Sequence, residues 1–364
     1  MVRLGIAGIG MIAADYISLI ADGRVPHVQL TALCSRHQQK MENIAEQYNL
    51  SVNMYMSYEQ MVASGTVDAV LICTPHGQHP EMTRKALEAD IHVLVEKPVG
   101  IYTDTVVECV ELLKQKRELV CGVMYNRRAS RAYGHIRNIV ASGEIGELVR
   151  CTWLITNLYR TDAYYGTSPW RGNWETEGGG ILMTQASHQL DLMQWICGMP
   201  CEVLARCDTV DRPISVENDA ELFLRYPNGA RGHFIASAHE CPGTNLLEIC
   251  GTKGRISIRE DSIVEILRLD QDERDFAKRC PLPFAKVNGQ METLVFDDSD
   301  NKLQQADTIE NFALTVLGKD QIQCSLAEGL GSLQIIHGAY VSWWTNAVAQ
   351  LPVSESLFRQ LIPK

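Results

Sequence analysis

Val2-Arg3-Leu4-Gly5-Ile6-Ala7 runs directly into Gly8-Ile9-Gly10-Met11-Ile12-Ala13. A short apolar strand thus meets a G-x-G-x-x-A turn, and the segment Met11–Ala21 then reads as a helix. Each small residue has its own use. Gly8 permits the tight turn, Gly10 lets the backbone approach a pyrophosphate, and Ala13 stands where a third glycine would allow close helix–strand packing. The amides of Met11 and Ile12 open the helix, where its dipole favours an anion. This strand-turn-helix context predicts dinucleotide binding.

The alternation continues to residue 124. Strands are expected at Val28–Cys34, Ala69–Cys73, Ile91–Val95 and Leu119–Met124, and helices at Gln38–Tyr48, Tyr58–Ala63, Glu81–Ala89 and Thr103–Lys116. Strands separated by crossover helices make a doubly wound parallel sheet. Ligands of such sheets lie beyond the carboxyl ends of the strands. Three polar turns fall on that edge. Cys34-Ser35-Arg36 follows the second strand, where an acid would select NAD. No acid is present, and Ser35 and Arg36 suit a 2′-phosphate, which tilts the expectation from NAD towards NADP. Thr74-Pro75-His76-Gly77-Gln78-His79 supplies further candidate cofactor contacts in Thr74, Pro75, His76 and His79. The third turn is Glu96-Lys97-Pro98. Lys97 projects into the crevice, Pro98 stops the strand, and Glu96, on the opposite face, reads as a structural partner beside the cofactor.

From about residue 148 strands follow one another without crossover helices: 148–158, 202–210, 218–226, 230–238, 245–250, 255–259 and 262–269. This predicts an α+β domain with a large, mainly antiparallel open sheet. The boundaries expected are 1–124 for the dinucleotide-binding domain and 125–364 for a substrate-binding and oligomerisation domain. Residues 280–302 look irregular, helices are expected at 307–317 and 325–349, and Trp343 and Trp344 read as packing.

One stretch is out of character. Trp170-Arg171-Gly172-Asn173-Trp174 leads into Gly178-Gly179-Gly180, and a helix is expected over 182–196. Three glycines are costly in chain entropy and imply a backbone passing close to something. Thr184, His188 and Asp191 would share one helix face. A histidine titrating near neutral pH after such a loop is a candidate general base. Tyr125, Arg127, Tyr159, Trp170 and Arg171, with Lys97, Thr184 and His188, are candidate contacts for a polyhydroxylated ring.

Composition bounds the alternatives. The 364 residues are 46% hydrophobic and 21% charged, with a formal net charge of -11, which argues against nucleic acid or an anionic membrane as the main partner. No apolar run approaches the ~20 residues of a membrane span, and residues 1–12 lack the pattern of a signal peptide. The twelve cysteines are scattered without a Cys-x-x-Cys, and many lie inside expected strands. Reduced cysteines in a cytoplasmic protein are the simplest reading, with no metal site.

The ordered set Gly8-x-Gly10-x-x-Ala13, Thr74-Pro75-x-x-x-His79, Glu96-Lys97-Pro98, Gly178-Gly179-Gly180, His188-x-x-Asp191 and Asp307-x-x-Glu310-Asn311-Phe312 resembles the glucose-fructose oxidoreductase / inositol dehydrogenase (Gfo/Idh/MocA) family over nearly the whole chain. The resemblance implies a Rossmann domain, an α+β domain whose open sheet often mediates homo-oligomers (a dimer or tetramer), a nicotinamide cofactor and a cyclic polyol or pyranose substrate. It implies that Lys97 is the active-site lysine and His188 the catalytic histidine, and that the Lys97–Pro98 bond could be cis. Members often carry Asp or Asn four residues before the histidine, where this chain has Thr184, which can only hydrogen-bond a hydroxyl. The expected activity is NAD(P)-dependent oxidation of a secondary alcohol. The hydride goes to the nicotinamide, the proton to His188, and Lys97 holds the developing alkoxide. The alternatives are a glycoside hydrolase that oxidises its substrate transiently with NAD, and a non-catalytic dinucleotide or sugar sensor.

Overall fold

The structure, a computed structural model, describes residues 1–297 and 300–363. In chain order the first elements are β1 (Val2–Ala7), α1 (Met11–Ala21), β2 (Val28–Cys34), α2 (Gln38–Gln47), β3 (Asn53–Tyr55), α3 (Tyr58–Val62), β4 (Ala69–Ile72), α4 (His79–Glu88), β5 (His92–Val95), α5 (Thr103–Gln115) and β6 (Cys121–Val123). The six strands pair parallel in the order β3-β2-β1-β4-β5-β6. The expected doubly wound sheet is therefore present. The third strand, Asn53–Tyr55, is too short to announce itself in sequence and is fixed by its register on Ala32–Cys34.

The remainder comprises α6 (Arg131–Ala141), β7 (Leu148–Ile155), α7 (Asp162–Tyr165), α8 (Ser187–Cys197), β8 (Glu202–Asp208), β9 (Asp219–Arg225), β10 (Arg231–Ser237), β11 (Asn245–Gly251), β12 (Gly254–Arg259) and β13 (Ile263–Leu269). After these come α9 (Glu273–Arg279), β14 (Gly289–Val295), α10 (Asn301–Val316), α11 (Leu326–Thr345), β15 (Ala349–Gln350) and α12 (Glu355–Leu361). Nine strands form one sheet in the order β14-β13-β12-β11-β7-β10-β9-β8-β15. Its pairs are antiparallel except β7–β10, which is parallel. The segment that looked irregular in sequence contributes the edge strand β14. Its residues are exposed on both faces, so it lacks the buried alternation that reveals a strand. Strands β8 and β9 alternate strictly. Val203, Ala205, Leu222 and Leu224 are buried, while Leu204 and Phe223, directly paired, lie on the open face.

The chain forms two compact units. The first is Met1–Ala129, Thr176–Gly178 and Asp300–Leu333; the second is Ser130–Glu175, Gly179–Ser299 and Gln334–Lys364. Helix α10 thus returns to the parallel-sheet unit. Its Ala306, Ile309, Phe312 and Ala313 join Leu4, Ile6, Ile17 and Leu33 in one buried cluster. An expected boundary at 124/125 follows chain order, whereas packing follows the apolar stripe of α10, which finds its partner in α1. In the second unit Trp174, Tyr340, Trp343, Trp344 and Phe358 form an aromatic cluster, so the two late tryptophans do pack. No helix among the described residues is long and apolar enough to cross a membrane.

If α10 belongs to the first unit's core, Phe312→Ala should destabilise the chain by about 3–5 kcal/mol through transfer and cavity costs. The measurement is the urea unfolding transition of the full-length chain. A loss below about 1 kcal/mol would mean that α10 is peripheral.

Candidate functional site

The dinucleotide cradle starts from the backbone of β1. Gly8 has φ +91, and a Cβ there would sit 2.8 Å from the Cys73 carbonyl oxygen, so only glycine passes this point. Its amide donates to the Cys34 carbonyl at 2.9 Å, tying the turn to the end of β2. Gly10 is the N-cap of α1, with no side-chain cap and nothing within 4 Å of a Cβ built on it. The half-exposed Ile12 and exposed Met11 open the helix, while Ala13 is fully buried against the sheet. An uncapped helix N-terminus with open space beside its first glycine fits a pyrophosphate.

The other candidates lie along the same edge of the parallel sheet. Ser35 directly follows β2, and its hydroxyl accepts from the His37 amide at 3.2 Å; Arg36 beside it is exposed. Thr74 and Pro75 follow β4 and are half-buried. His76 is buried, its Nδ1 3.1 Å from the Glu177 carbonyl. His79 is fully buried, with Nδ1 2.8 Å from the Pro98 carbonyl and Nε2 2.7 Å from the Thr74 carbonyl. Only an imidazolium could donate to both. Burial and the neighbouring Lys97 charge outweigh the two carbonyls and hold the pKa below the usual histidine value, so the ring is neutral and donates to one of them. Either way His79 links the turn after β4 to the turn after β5.

Glu96 and Lys97 follow β5. The Glu96 carboxylate is buried, accepts from the Tyr16 hydroxyl of α1 and takes the Lys97 amide at 3.1 Å. Burial raises its pKa, against the pull of Lys97 and Tyr16. Glu96 is therefore spent on fixing the backbone of the half-buried Lys97. The Lys97–Pro98 bond is cis. Of the remaining candidates in this unit, Tyr125 is 1% exposed and its hydroxyl pairs with Ser332 at 2.6 Å. Arg127 is half-buried in the short 3-10 turn Asn126–Ala129.

In the second unit the expected helix over 182–196 starts only at Ser187. Residues 181–186 are a run of turns, and Thr184 does not share a helical face with His188. The reason is that the preceding amides are taken by Glu217. Gly180 N donates to its Oε2 at 2.9 Å and Leu182 N to its Oε1 at 3.0 Å. The Tyr340 hydroxyl adds a third bond at 2.7 Å. The Thr184 hydroxyl faces two acceptors, the Gly180 carbonyl at 2.8 Å and the Gln185 side-chain oxygen, so its one hydrogen is engaged within the turn. His188, half-buried, is the second residue of α8; Asp191, fully buried, accepts from Gln194 at 3.1 Å. Ahead of the glycines, Arg171 lies between aromatic faces, 4.4 Å from the Trp170 ring centre and 4.5 Å from that of Tyr164. Gln185 donates to the Tyr164 hydroxyl at 3.0 Å. Tyr159 is exposed, with Arg212 5.5 Å above its ring.

Glu217, Tyr340, Tyr164, Gln185 and Tyr16 are absent from the expected set. Glu217 and Tyr340 are 123 residues apart, and only the glycine run signalled that something must lie against the backbone there. Among the described residues, no three or more His, Cys, Asp or Glu gather as a metal site.

Glu217 also carries a pH signature. Burial, acting against its three donors, pushes its pKa up from 4.5 to about 7. Between those values the folded chain holds a proton that the unfolded chain has released. The stabilisation is complete below pH 4.5 and is lost as pH rises through about 7. Glu217→Gln should flatten the fall in stability over this window, by up to about 1.4 kcal/mol per pH unit. Urea midpoints of both proteins at a series of pH values test this, and identical slopes would contradict it.

Comparison with known proteins places the chain. Residues 2–126 match the model of the oxidoreductase family with an NAD-binding Rossmann fold, and residues 133–257 match the GFO/IDH/MocA C-terminal domain. The oxidoreductase YrbE of Bacillus subtilis is 28% identical over 258 residues, 69% of this chain and 71% of that protein. The myo-inositol 2-dehydrogenase of Thermotoga maritima is 25% identical over 274 residues, 72% and 77% of the two chains. The crystal structure of the WlbA dehydrogenase from Bordetella pertussis, in complex with NADH and UDP-GlcNAcA, shares the fold with a TM-score of 0.78 at 22% identity, covering 97% of this chain and 99% of that one. With both of its domain models matched in order along the sequence, the chain belongs to the GFO/IDH/MocA family of NAD-binding oxidoreductases.

Proposed function

We propose that this oxidoreductase transfers a hydride between a nicotinamide cofactor and a secondary hydroxyl or ketone of a pyranose sugar or cyclic polyol. The observation that carries the reading is the position of Lys97. It stands two residues past β5, on the sheet edge where Gly8 turns into α1, with its amide held by the buried Glu96. The relatives support the substrate class: one is an inositol dehydrogenase, and WlbA is seen with a nucleotide sugar.

The bound nicotinamide supplies the chemistry of hydride acceptance and donation. Met11 and Ile12 would hold its pyrophosphate through their backbone amides, Gly8 and Gly10 would give it the tight turn and the open space beside the helix, and Thr74, Pro75, His76 and His79 line the neighbouring turn. Lys97 holds the oxygen of the reacting carbon and stabilises negative charge as it develops. His188 takes the hydroxyl proton in oxidation and returns it in reduction. Thr184 offers an acceptor to a substrate hydroxyl, while Arg127, Tyr159, Trp170 and Arg171 serve the remaining hydroxyls and ring faces. Residues 125–364 thus make up most of the substrate-binding part. The open face of the nine-stranded sheet, with Leu204 and Phe223 exposed, is the surface proposed for association with a second copy. Ser35 and Arg36, with no acid beside them, favour NADP over NAD.

A screen of pyranoses and inositols against NAD⁺ and NADP⁺, read at the nicotinamide absorbance with a parallel check for glycoside cleavage, identifies the substrate. Cleavage without net reduction would identify a hydrolase instead, and binding without turnover a sensor. On the substrate so found, Lys97→Ala and His188→Ala should each lower turnover by about 10²–10⁴-fold while cofactor binding survives. Near-normal turnover in either variant would refute the assigned roles. Arg36→Ala should weaken NADP⁺ binding about tenfold and leave NAD⁺ binding unchanged. A clear NAD⁺ preference that survives the substitution would refute the NADP assignment.

A further inference from the structure

The glycine run before His188 lies on a buried carboxylate. A Cβ at Gly180 would overlap the Glu217 carbonyl oxygen, and one at Gly179 would overlap the Tyr340 hydroxyl. The Ile181 amide donates to the Glu217 carbonyl at 2.9 Å, between the two amides that the Glu217 side chain takes. Gly180, Ile181 and Leu182 therefore all donate to one residue, through both its main chain and its side chain. From there hydrogen bonds run along the turn into the start of α8, the helix that carries His188. The Thr184 amide and hydroxyl both donate to the Gly180 carbonyl, at 3.0 and 2.8 Å. The Ala186 amide donates to the Ile181 carbonyl at 2.8 Å, and the Ser187 hydroxyl to the Thr184 carbonyl at 3.1 Å. The Leu190 amide donates to the Ala186 carbonyl at 3.0 Å, within the first turn of α8.

We propose that Glu217, held by Tyr340, is a positioning residue that sets where Thr184 and His188 stand. It touches no reactant and acts only through the turn from Gly180 to Ala186. The inference rests on the reading of His188 as the proton acceptor. Its physical basis is that Glu217 and Tyr340 are both fully enclosed. A carboxylate cut off from water cannot exchange its donors for solvent, so the amides it binds have one position. Tyr340 is itself wedged, 5.0 Å from the Trp174 ring and 5.5 Å from the Trp344 ring. Glu217→Gln keeps the shape but turns an NH₂ towards a backbone donor, which removes at least one bond and repels the other group.

The test compares Glu217→Gln, Tyr340→Phe and His188→Ala with the wild type. Rates are taken on the substrate found in the screen and counted per cofactor-binding site, so that unfolded protein does not contribute. Glu217→Gln should lower kcat about 10–100-fold, with cofactor affinity and the substrate KM within about threefold. Tyr340→Phe keeps the aromatic packing and should give a smaller loss in the same direction. The second readout needs no substrate: the His188 imidazole signals, followed by NMR through a pH titration, should shift in both variants. Wild-type kcat and wild-type His188 signals in folded Glu217→Gln would overturn the proposal. Should that variant fail to fold, the same result in Tyr340→Phe would overturn it. Unchanged turnover in His188→Ala, with shifted imidazole signals in the Glu217 and Tyr340 variants, would remove the catalytic reading but leave the positioning of His188 standing.

Discussion

A carboxylate withdrawn from water must find all its hydrogen bonds inside the protein, and the groups that supply them lose their freedom. This constraint recurs in each unit of the chain. In the first, buried Glu96 takes the Tyr16 hydroxyl from α1 and the Lys97 amide, so the helix that opens the dinucleotide cradle and the lysine after β5 share one anchor. In the second, buried Glu217 takes two amides of the glycine turn and the Tyr340 hydroxyl. Lys97 directly follows its anchor in the chain, and His188 follows the glycine turn that Glu217 holds. Neither acid is proposed to react. Burial raises both pKa values against the pull of the groups that hydrogen-bond them.

The parallel sheet gives the first anchor its meaning. Strands β1, β2, β4 and β5 end along one edge, so residues far apart in sequence meet there: Gly8, Ser35, Thr74 and Lys97. His79 strengthens the arrangement by facing the carbonyls on either side of it, those of Thr74 and Pro98. The core beneath depends on a helix from much later in the chain, since α10 places Ile309 and Phe312 among Leu4 and Ile17.

Whatever is decided locally was legible in the sequence. The strand-turn-helix at residues 2–21 was readable because its glycines have specific backbone duties and its strand is buried on both faces. The expected sheet classes follow for the same reason. Elements held by pairing rather than pattern were not legible. Asn53–Tyr55 is three residues long, and Gly289–Val295 is exposed on both faces. Helix α8 starts five residues later than apolar spacing over 182–196 predicts, because amides at the start of that stretch are claimed by an acid in the loop before β9. The glycine run was recognised as a close approach, but what it approaches lies 37 and about 160 residues further along, beyond any local pattern.

The proposed reaction is a direct hydride transfer from a carbinol carbon. It is tested most directly by placing deuterium on that carbon of the substrate found in the screen and recovering the reduced cofactor for mass spectrometry. The expected result is one deuterium in each molecule of reduced nicotinamide, matched by one molecule of ketone. Conversion of the substrate with an unlabelled or unreduced cofactor would contradict it.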